Sequence, residues 1–484
     1  MSGAWDYDVI VVGSGYGGSS AAEALARAGL KVGILERGTW WGAFGGHRAL
    51  PETLPQIIAA LRGLNFSGFG RNLSIPLSRR GVLEVSLHGG TIVLNSAGVG
   101  GNSLVSGGYL QRPAPQYYDA LPPELTQAEL APHYERIERA LEVSPGPQDQ
   151  HRLTKLTTLA SQHGWTIGAP PQAIRWTSDE PQSRPACTQC NRCTFGCNVG
   201  AKQSFDQNLI PSAMRAGAAV RDLCTVQAIQ RVKDGYEVRV HDGRAQRAIV
   251  VRAPRVVVAA GGLNTLKILL RSTATGALGT MPLLGHHFSM GADTVAFYRL
   301  PRVRPVKEVA GHLVDAQIQV PATGGGFDHQ ILAATGPFFP GSWLLRRLQR
   351  DTVPLFGFGP DTMDGEVTWR RRGIIVRHKP QALVARIQTS LDRIAQALGG
   401  QKPVRPLDAE RRVRPWLSMH PIGGCRMATD VSRGVVDFRG EVFGHPGLYV
   451  ADAAVLPTVT IAGPQLSVAA LGSWIAERIV SEAR

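Results

Sequence analysis

Two stretches of this chain carry residue types at spacings that do chemistry. The first is Gly13-Ser14-Gly15-Tyr16-Gly17-Gly18, a G-x-G-x-x-G run followed by an acid, Glu36, 18 residues beyond its last glycine. Glycines so placed suit a dinucleotide. Gly13 makes a tight turn, Gly15 admits a pyrophosphate against backbone N–H groups, and Gly18 lets a helix pack closely on a strand. An acid near the position of Glu36 accepts hydrogen bonds from an adenosine ribose. This fingerprint does not separate NAD from FAD. The second stretch is Cys187, Cys190, Cys193 and Cys197, a C-x2-C-x2-C-x3-C run. Thiolates at this spacing grip iron–sulfur clusters, through all four or through three plus another ligand. Asn198 follows the run where Pro is usual. Unligated reduced thiols and a zinc site are the other readings, although zinc more often draws on two separated pairs or on His.

The elements around these residues must position them. Asp8 to Val12 is a nearly continuous apolar run, as in a strand buried on both faces of a parallel sheet. A helix over Ser19–Ala28, stopped by Gly29, and a strand over Lys31–Leu35 complete a βαβ unit. Arg255 to Ala260 reads as another buried parallel strand, running through Gly261-Gly262 into a helix. Cys224 to Val251 alternates as an antiparallel meander that turns at Asp242-Gly243. Helices are expected over Leu54–Leu64 and Gln381–Leu398, with a helical hairpin over 116–146 broken at Pro122-Pro123. An amphipathic helix is expected over Gln465–Ser481. Gly98, Gly100, Gly101, Gly107 and Gly108 crowd one loop, which implies backbone lying against another backbone or a planar ligand. The pattern is α/β: a Rossmann-like nucleotide-binding domain from 1–115, 186–289 and 416–484, and a discontinuous α+β substrate-binding domain from 116–185 and 290–415.

At 484 residues, 43% hydrophobic and 18% charged, the composition is that of an ordinary globular protein. No run of 18 apolar residues appears, so no spanning helix is expected. The first strand begins by about Tyr7, which leaves no room for a signal peptide and favours a cytoplasmic protein with, at most, peripheral membrane contact. Disulfides are then not expected. The net charge of +15 would suit anionic lipid, an acidic electron-acceptor protein or an anionic substrate. Much of it is scattered arginine, such as Arg346, Arg347, Arg411 and Arg412, which a solvated surface explains equally. No nucleic-acid-binding motif is present.

Three separated stretches together resemble the glucose–methanol–choline (GMC) family of FAD-dependent alcohol oxidoreductases. They are the N-terminal glycine run with its acid, the AGVGGNSLVSGG loop, and HPIGGCRM…GVVD…GEVFGHPGLYVADAAVLP with the helix that follows. Within the family they are most similar to its cholesterol-oxidase-like members. The resemblance implies the GMC fold and FAD as cofactor. It implies that Tyr16, Gly17 and Glu36 contact the diphosphate and ribose, and that Gly101, Asn102, Ser106, Gly107 and Tyr109 lie along the isoalloxazine and ribityl chain. It places the Val226 backbone at the adenine and Asp452 at the ribityl or pyrophosphate region. Pro464 would open a helix whose positive end faces the flavin pyrimidine edge.

The same resemblance makes His420, in HPIGGC, the active-site histidine. A base poised near neutral pH would take the hydroxyl proton as hydride leaves for flavin N5. Two positions depart from the family pattern. Gly463 stands where the family places Asn or His beside the flavin, and Ser106 stands where cholesterol oxidase has Asn. Gln465 is the nearby candidate to supply the polar group that Gly463 lacks. The expected activity is oxidation of a hydrophobic, sterol- or terpenoid-like alcohol by a dehydrogenase rather than an oxidase. If the cysteines hold a cluster, electrons leave through it to a partner protein. The alternatives are a non-oxidative flavin reaction, of isomerase or decarboxylase type and motivated by Gly463, or a non-catalytic electron-transfer flavoprotein.

Overall fold

The structure is a computed structural model that describes residues 5–42, 49–68, 71–147, 150–177, 184–291, 293–299, 314–323, 326–334, 352–370, 373–378, 382–400 and 416–483. Arg346, Arg347, Arg411 and Arg412 lie outside the described residues.

The Val9–Val12 strand, buried at every position, sits at the centre of a five-stranded parallel sheet. It pairs in parallel with Val32–Leu35 on one side and Arg255–Val258 on the other, and Ala219–Arg221 and Leu448–Val450 extend the two edges. Short runs of Val, Ile and Leu suit strands covered on both faces. The first helix begins earlier than its sequence pattern indicates, at Tyr16 within the glycine run, and ends at Arg27. The meander forms as expected from Cys224–Val232, Gly235–Asp242 and Arg247–Ala253.

The terminal helix, Gln465–Ala483, lies along the first helix. The two meet at glycines: a Cβ on Gly472 would stand 2.4 Å from the Gly17 carbonyl oxygen. This helix departs from the amphipathic expectation, because every residue from Leu466 to Ala476 is buried. Its far side is covered by the helix Gln127–Ala140, where Tyr134 donates to Ser467 Oγ at 3.1 Å and His133 Nδ1 lies 2.9 Å from Ser473 Oγ. The first arm of the expected helical hairpin is only a 3₁₀ turn, Pro115–Ala120. Residues 116–185 thus divide: Gln127–Ala140 joins the parallel-sheet side, while Thr166–Gly168 edges a different sheet.

That second sheet is antiparallel, in the order Thr294–Arg299, Thr352–Phe358, Phe327–Ala334, Val314–Pro321, Thr166–Gly168. The helix Ala382–Ala397 backs it through buried Ile387, Leu391 and Ile394. A third sheet runs Trp416–Ser418, Thr91–Ser96, Leu83–His88, Leu61–Gly68, Arg71–Pro76. Here the sequence expectation needs correction. The helix expected over Leu54–Leu64 stops at Ala59, started by a Thr53–Gln56 capping box, and the chain continues as a strand. Leu64-Asn65-Phe66-Ser67 alternates with period two, and parallel pairing with Leu83–His88 overrides the short apolar run. No helix among the described residues is long and apolar enough to cross a membrane.

Candidate active site

The C-terminal ends of the parallel strands and one face of the antiparallel sheet enclose a cavity of about 880 Å³. On the parallel side the glycine run supplies its floor. Gly13 turns with φ +96°, and a Cβ there would stand 2.4 Å from the Ala259 carbonyl oxygen. Gly17 allows no side chain either, since a Cβ would reach 1.7 Å from the Ala451 oxygen. Gly15 differs: its Cβ direction meets nothing within 4 Å, so it presents bare backbone to open space. The tight turn expected at Gly13 is present, and the space beside Gly15 leaves room for the pyrophosphate expected there. Gly18 packs against Gly13 and Ala259, the close helix–strand approach its place in the run implies, and is not among the residues lining the cavity.

Two buried carboxylates fasten this floor. Glu36 Oε2 accepts from Ser14 N at 3.1 Å and Ser14 Oγ at 2.7 Å, while Oε1 accepts from Gly38 N at 2.8 Å. A carboxylate has about four lone-pair sites, so Glu36, which lines the cavity, keeps capacity for a ribose hydroxyl. Asp452 Oδ1 accepts from Ala454 N at 2.9 Å, and its Oδ2 takes Gly261 N at 2.7 Å and Thr265 Oγ1 at 2.5 Å. Burial raises its pKa, against the pull of those donors. Asn102 Oδ1 holds Ser96 N at 2.8 Å, and Tyr16 donates to Ser106 Oγ at 3.0 Å, with its phenol pushed up to about 12 by burial. Gly101, Asn102, Ser106, Gly107, Tyr109, Val226, Asp452 and Pro464 all line the cavity. Together they form a long polar cradle with an exposed glycine backbone, which fits a dinucleotide.

His420 stands where the two sides meet. Its Nδ1 lies 3.0 Å from Asp293 Oδ1, whose other oxygen accepts from Met419 N at 3.0 Å. A carboxylate only accepts, so Nδ1 donates to Asp293 and Nε2 is left to accept. Gln465 Nε2 lies 3.1 Å from that atom. The amide oxygen of Gln465, buried, finds no donor among the described residues. Gly463 stands just outside the cavity lining that Pro464 and Gln465 join. Its role is to leave room: a Cβ on Gly463 would stand 2.0 Å from Gln465 Oε1. The space a side chain at 463 would fill is taken by the Gln465 amide. Sequence reasoning missed Asp293 altogether. It lies 127 residues before His420, in a stretch with no motif.

The antiparallel sheet closes the His420 end with Phe297, Leu332, Phe356 and Phe358, joined by Met419. The Phe358 ring centroid lies 5.6 Å from that of His420. These walls are apolar and carry no charge, so they suit a neutral, lipophilic molecule.

The four cysteines line a separate, smaller cavity of about 240 Å³ together with Glu52, Asn198 and Lys202. All are free thiols. Among the described residues no three Cys, His, Asp or Glu side chains converge on a point that would hold one metal ion. Burial pushes the Cys193 thiol up to about 12, with the Lys202 ammonium pulling the other way. Lys202 Nζ, itself buried, donates to the carbonyls of Leu104 (2.8 Å), Ser106 (2.8 Å) and Cys193 (2.9 Å), tying the cysteine loop to the glycine-rich loop of the large cavity. Thr194 and Phe195, next to Cys193, line the large cavity, so the two cavities share a wall.

The GMC oxidoreductase signature matches residues 7–290 in its N-terminal part and residues 374–472 in its C-terminal part. The chain belongs to the GMC oxidoreductase family. Members of this family typically bind FAD. An uncharacterised GMC-type oxidoreductase of Mycobacterium tuberculosis is 27% identical, over 98% of this chain and 76% of the relative. A cholesterol oxidase of the same organism is 27% identical, over 96% of this chain and 89% of the relative. A long-chain-alcohol oxidase of Arabidopsis thaliana is 22% identical, over 98% of this chain and 67% of the relative. Among solved structures, pyridoxine 4-oxidase from Mesorbium loti superposes with a TM-score of 0.67 at 16% identity, over 97% of this chain and 98% of that one, which shows the shared fold.

Proposed function

We propose that this GMC oxidoreductase binds FAD in the glycine-lined half of the large cavity and oxidises a hydroxyl group of a neutral, lipophilic alcohol in the other half. The observation that carries this reading is His420 held between Asp293 and Gln465 at the boundary of the two halves. FAD, when bound, supplies the two-electron acceptor for the hydride that leaves the alcohol carbon. His420 Nε2 takes the hydroxyl proton once the alcohol oxygen shares the Gln465 amide, and Asp293 holds the ring in the tautomer that leaves Nε2 as acceptor and stabilises the imidazolium that forms. The Gln465 amide N–H is placed to donate to the same oxygen, the hydrogen bond the family obtains from position 463. Phe297, Phe356 and Phe358 exclude water and select for apolar bulk. Cholesterol and long-chain alcohols, named for two of the relatives, are lipophilic hydroxyl compounds of the kind these walls accommodate. Because the Gln465 amide provides the polar group that Gly463 lacks, alcohol oxidation is better supported than a non-oxidative flavin reaction.

We further propose that Cys187, Cys190, Cys193 and Cys197 hold an iron–sulfur cluster, which favours a dehydrogenase over an oxidase. Four thiols around one cavity that shares a wall with the flavin side support this. Such a cluster supplies one-electron transfer to an outside acceptor. Anaerobic mixing of holoprotein with sterols, terpenoid alcohols and long-chain alcohols tests the first proposal: at least one should bleach the flavin band. Intact FAD that no alcohol bleaches would overturn it. Iron and acid-labile sulfide analysis tests the second, and one iron or less per chain would refute it.

A further inference from the structure

The third sheet turns its polar face inward and its apolar face outward. Ser67, Ser86, His88 and Thr91 are buried beneath it, and Ser67 Oγ donates to the Ile374 carbonyl at 3.0 Å. On the outer face the strand registers bring apolar side chains into two cross-strand rows. Leu64 stands opposite Ile75 and Val85, and Val85 opposite Leu94; Phe66 stands opposite Leu73 and Leu87, and Leu87 opposite Ile92. A sheet with one wet face ordinarily places its polar residues outward, so the faces of this mixed sheet are inverted. Phe66 is 41% exposed, Leu73 57%, Ile75 38% and Leu94 37%, with Leu77 at 52% beyond the strand end and Leu54 at 44% and Ile58 at 59% on the preceding helix. Exposed large apolar side chains elsewhere in the described chain stand apart in sequence, at Trp5, Met214, Val250 and Val431. Contiguous apolar surface of this kind marks an interaction site.

The face runs into the large cavity, because Val85, Ile92 and Leu94 belong to its rows and also line that cavity. Arg79 and Arg80 stand exposed in the turn beside Leu77, on a chain whose net charge is +15. We propose that this face docks the protein on an anionic lipid bilayer, and that lipophilic substrate passes from the lipid along Val85, Ile92 and Leu94 into the cavity. Apolar side chains enter the interface while flanking arginines meet acidic headgroups. A second copy of the chain on this face would cover the apolar edge of the cavity, which is why the bilayer is the better occupant. The inference rests on the lipophilic-alcohol reading for its purpose, but not for its test.

FAD-loaded protein without substrate is floated with phosphatidylcholine vesicles and with vesicles that also contain phosphatidylglycerol. Binding should appear with the phosphatidylglycerol vesicles and be weak with phosphatidylcholine alone. The double variant Leu73→Ser/Ile75→Ser should lower partitioning at least ~10-fold, while keeping its FAD content and its turnover of a short water-soluble alcohol. Leu77→Ser, outside the strand, provides a second variant with a smaller loss should the double variant fold poorly. No vesicle binding by the unaltered protein, or equal binding by both variants, would overturn the proposal. So would an unaltered dimer that Leu77→Ser converts to monomer, since the occupant would then be a second copy. Alcohol oxidation is scored separately on soluble substrate, so either reading can fail without the other.

Discussion

The parallel sheet and the antiparallel sheet bound the same cavity but contribute to it differently. The parallel sheet offers the loops beyond its strand ends: bare glycine backbone at Gly15, and carboxylates of Glu36 and Asp452 that are largely occupied in bracing those loops. The antiparallel sheet offers the faces of its strands, with Phe297, Leu332, Phe356 and Phe358 as the wall. One side thus depends on backbone path, where tolerance is a fraction of an ångström. The other depends on side-chain volume, which is exchangeable. Cofactor binding and the general reaction should therefore be brittle to substitution, and substrate choice plastic.

The most severe break is expected at Gly17. Gly17→Ala places a Cβ 1.7 Å from a backbone oxygen, so folded, flavin-loaded protein should be lost in expression and thermal-melt assays. Gly15→Ala should instead fold with an unaltered apoprotein Tm and lose FAD, because its Cβ enters open space that a pyrophosphate would need. Equal damage from both would erase the distinction between packing and binding glycines. Next in size is His420→Ala, expected to lower turnover by ~10³-fold while FAD stays bound, within the usual range for a general base. Unchanged flavin bleaching rates would remove it from that role.

Asp293→Asn should be milder. It keeps the shape beside Nδ1 but removes the carboxylate that fixes the tautomer and stabilises the imidazolium. A ~10–100-fold fall in kcat with little change in KM is expected; a rise in KM alone would make Asp293 a binding residue. The smallest effect belongs to the antiparallel wall. Phe358→Ala should shift the kcat/KM ratio between bulky and slender alcohols by ~10-fold, leaving FAD content untouched. Loss of FAD in that variant would show that the two sides are not separable.

Much of the parallel side is legible in the sequence because its demands are local. The Val9–Val12 strand, the glycine turn and the following helix each print a period or a required glycine within a few residues. The third sheet is not legible at Leu61–Gly68, where Leu61, Leu64 and Phe66 fit a helix or a strand and only pairing with Leu83–His88 decides. The terminal helix lacks the wet face its pattern suggests, because Gln127–Ala140, more than 300 residues away in sequence, covers it. Gln465 is within reach of sequence reasoning as the neighbour of Gly463, but its approach to His420 is not.

The order of residues in the chain therefore carries the nucleotide cradle, the histidine and the cysteine run, each a requirement of the backbone or of a motif at short range. Tertiary structure alone brings Asp293 to His420 across 127 residues, fills the gap beside Gly463 with the Gln465 amide, and turns the apolar face of the third sheet outward. These are encounters between side chains whose sequence separation has no bearing on their distance once the sheets are assembled, and so no local pattern announces them.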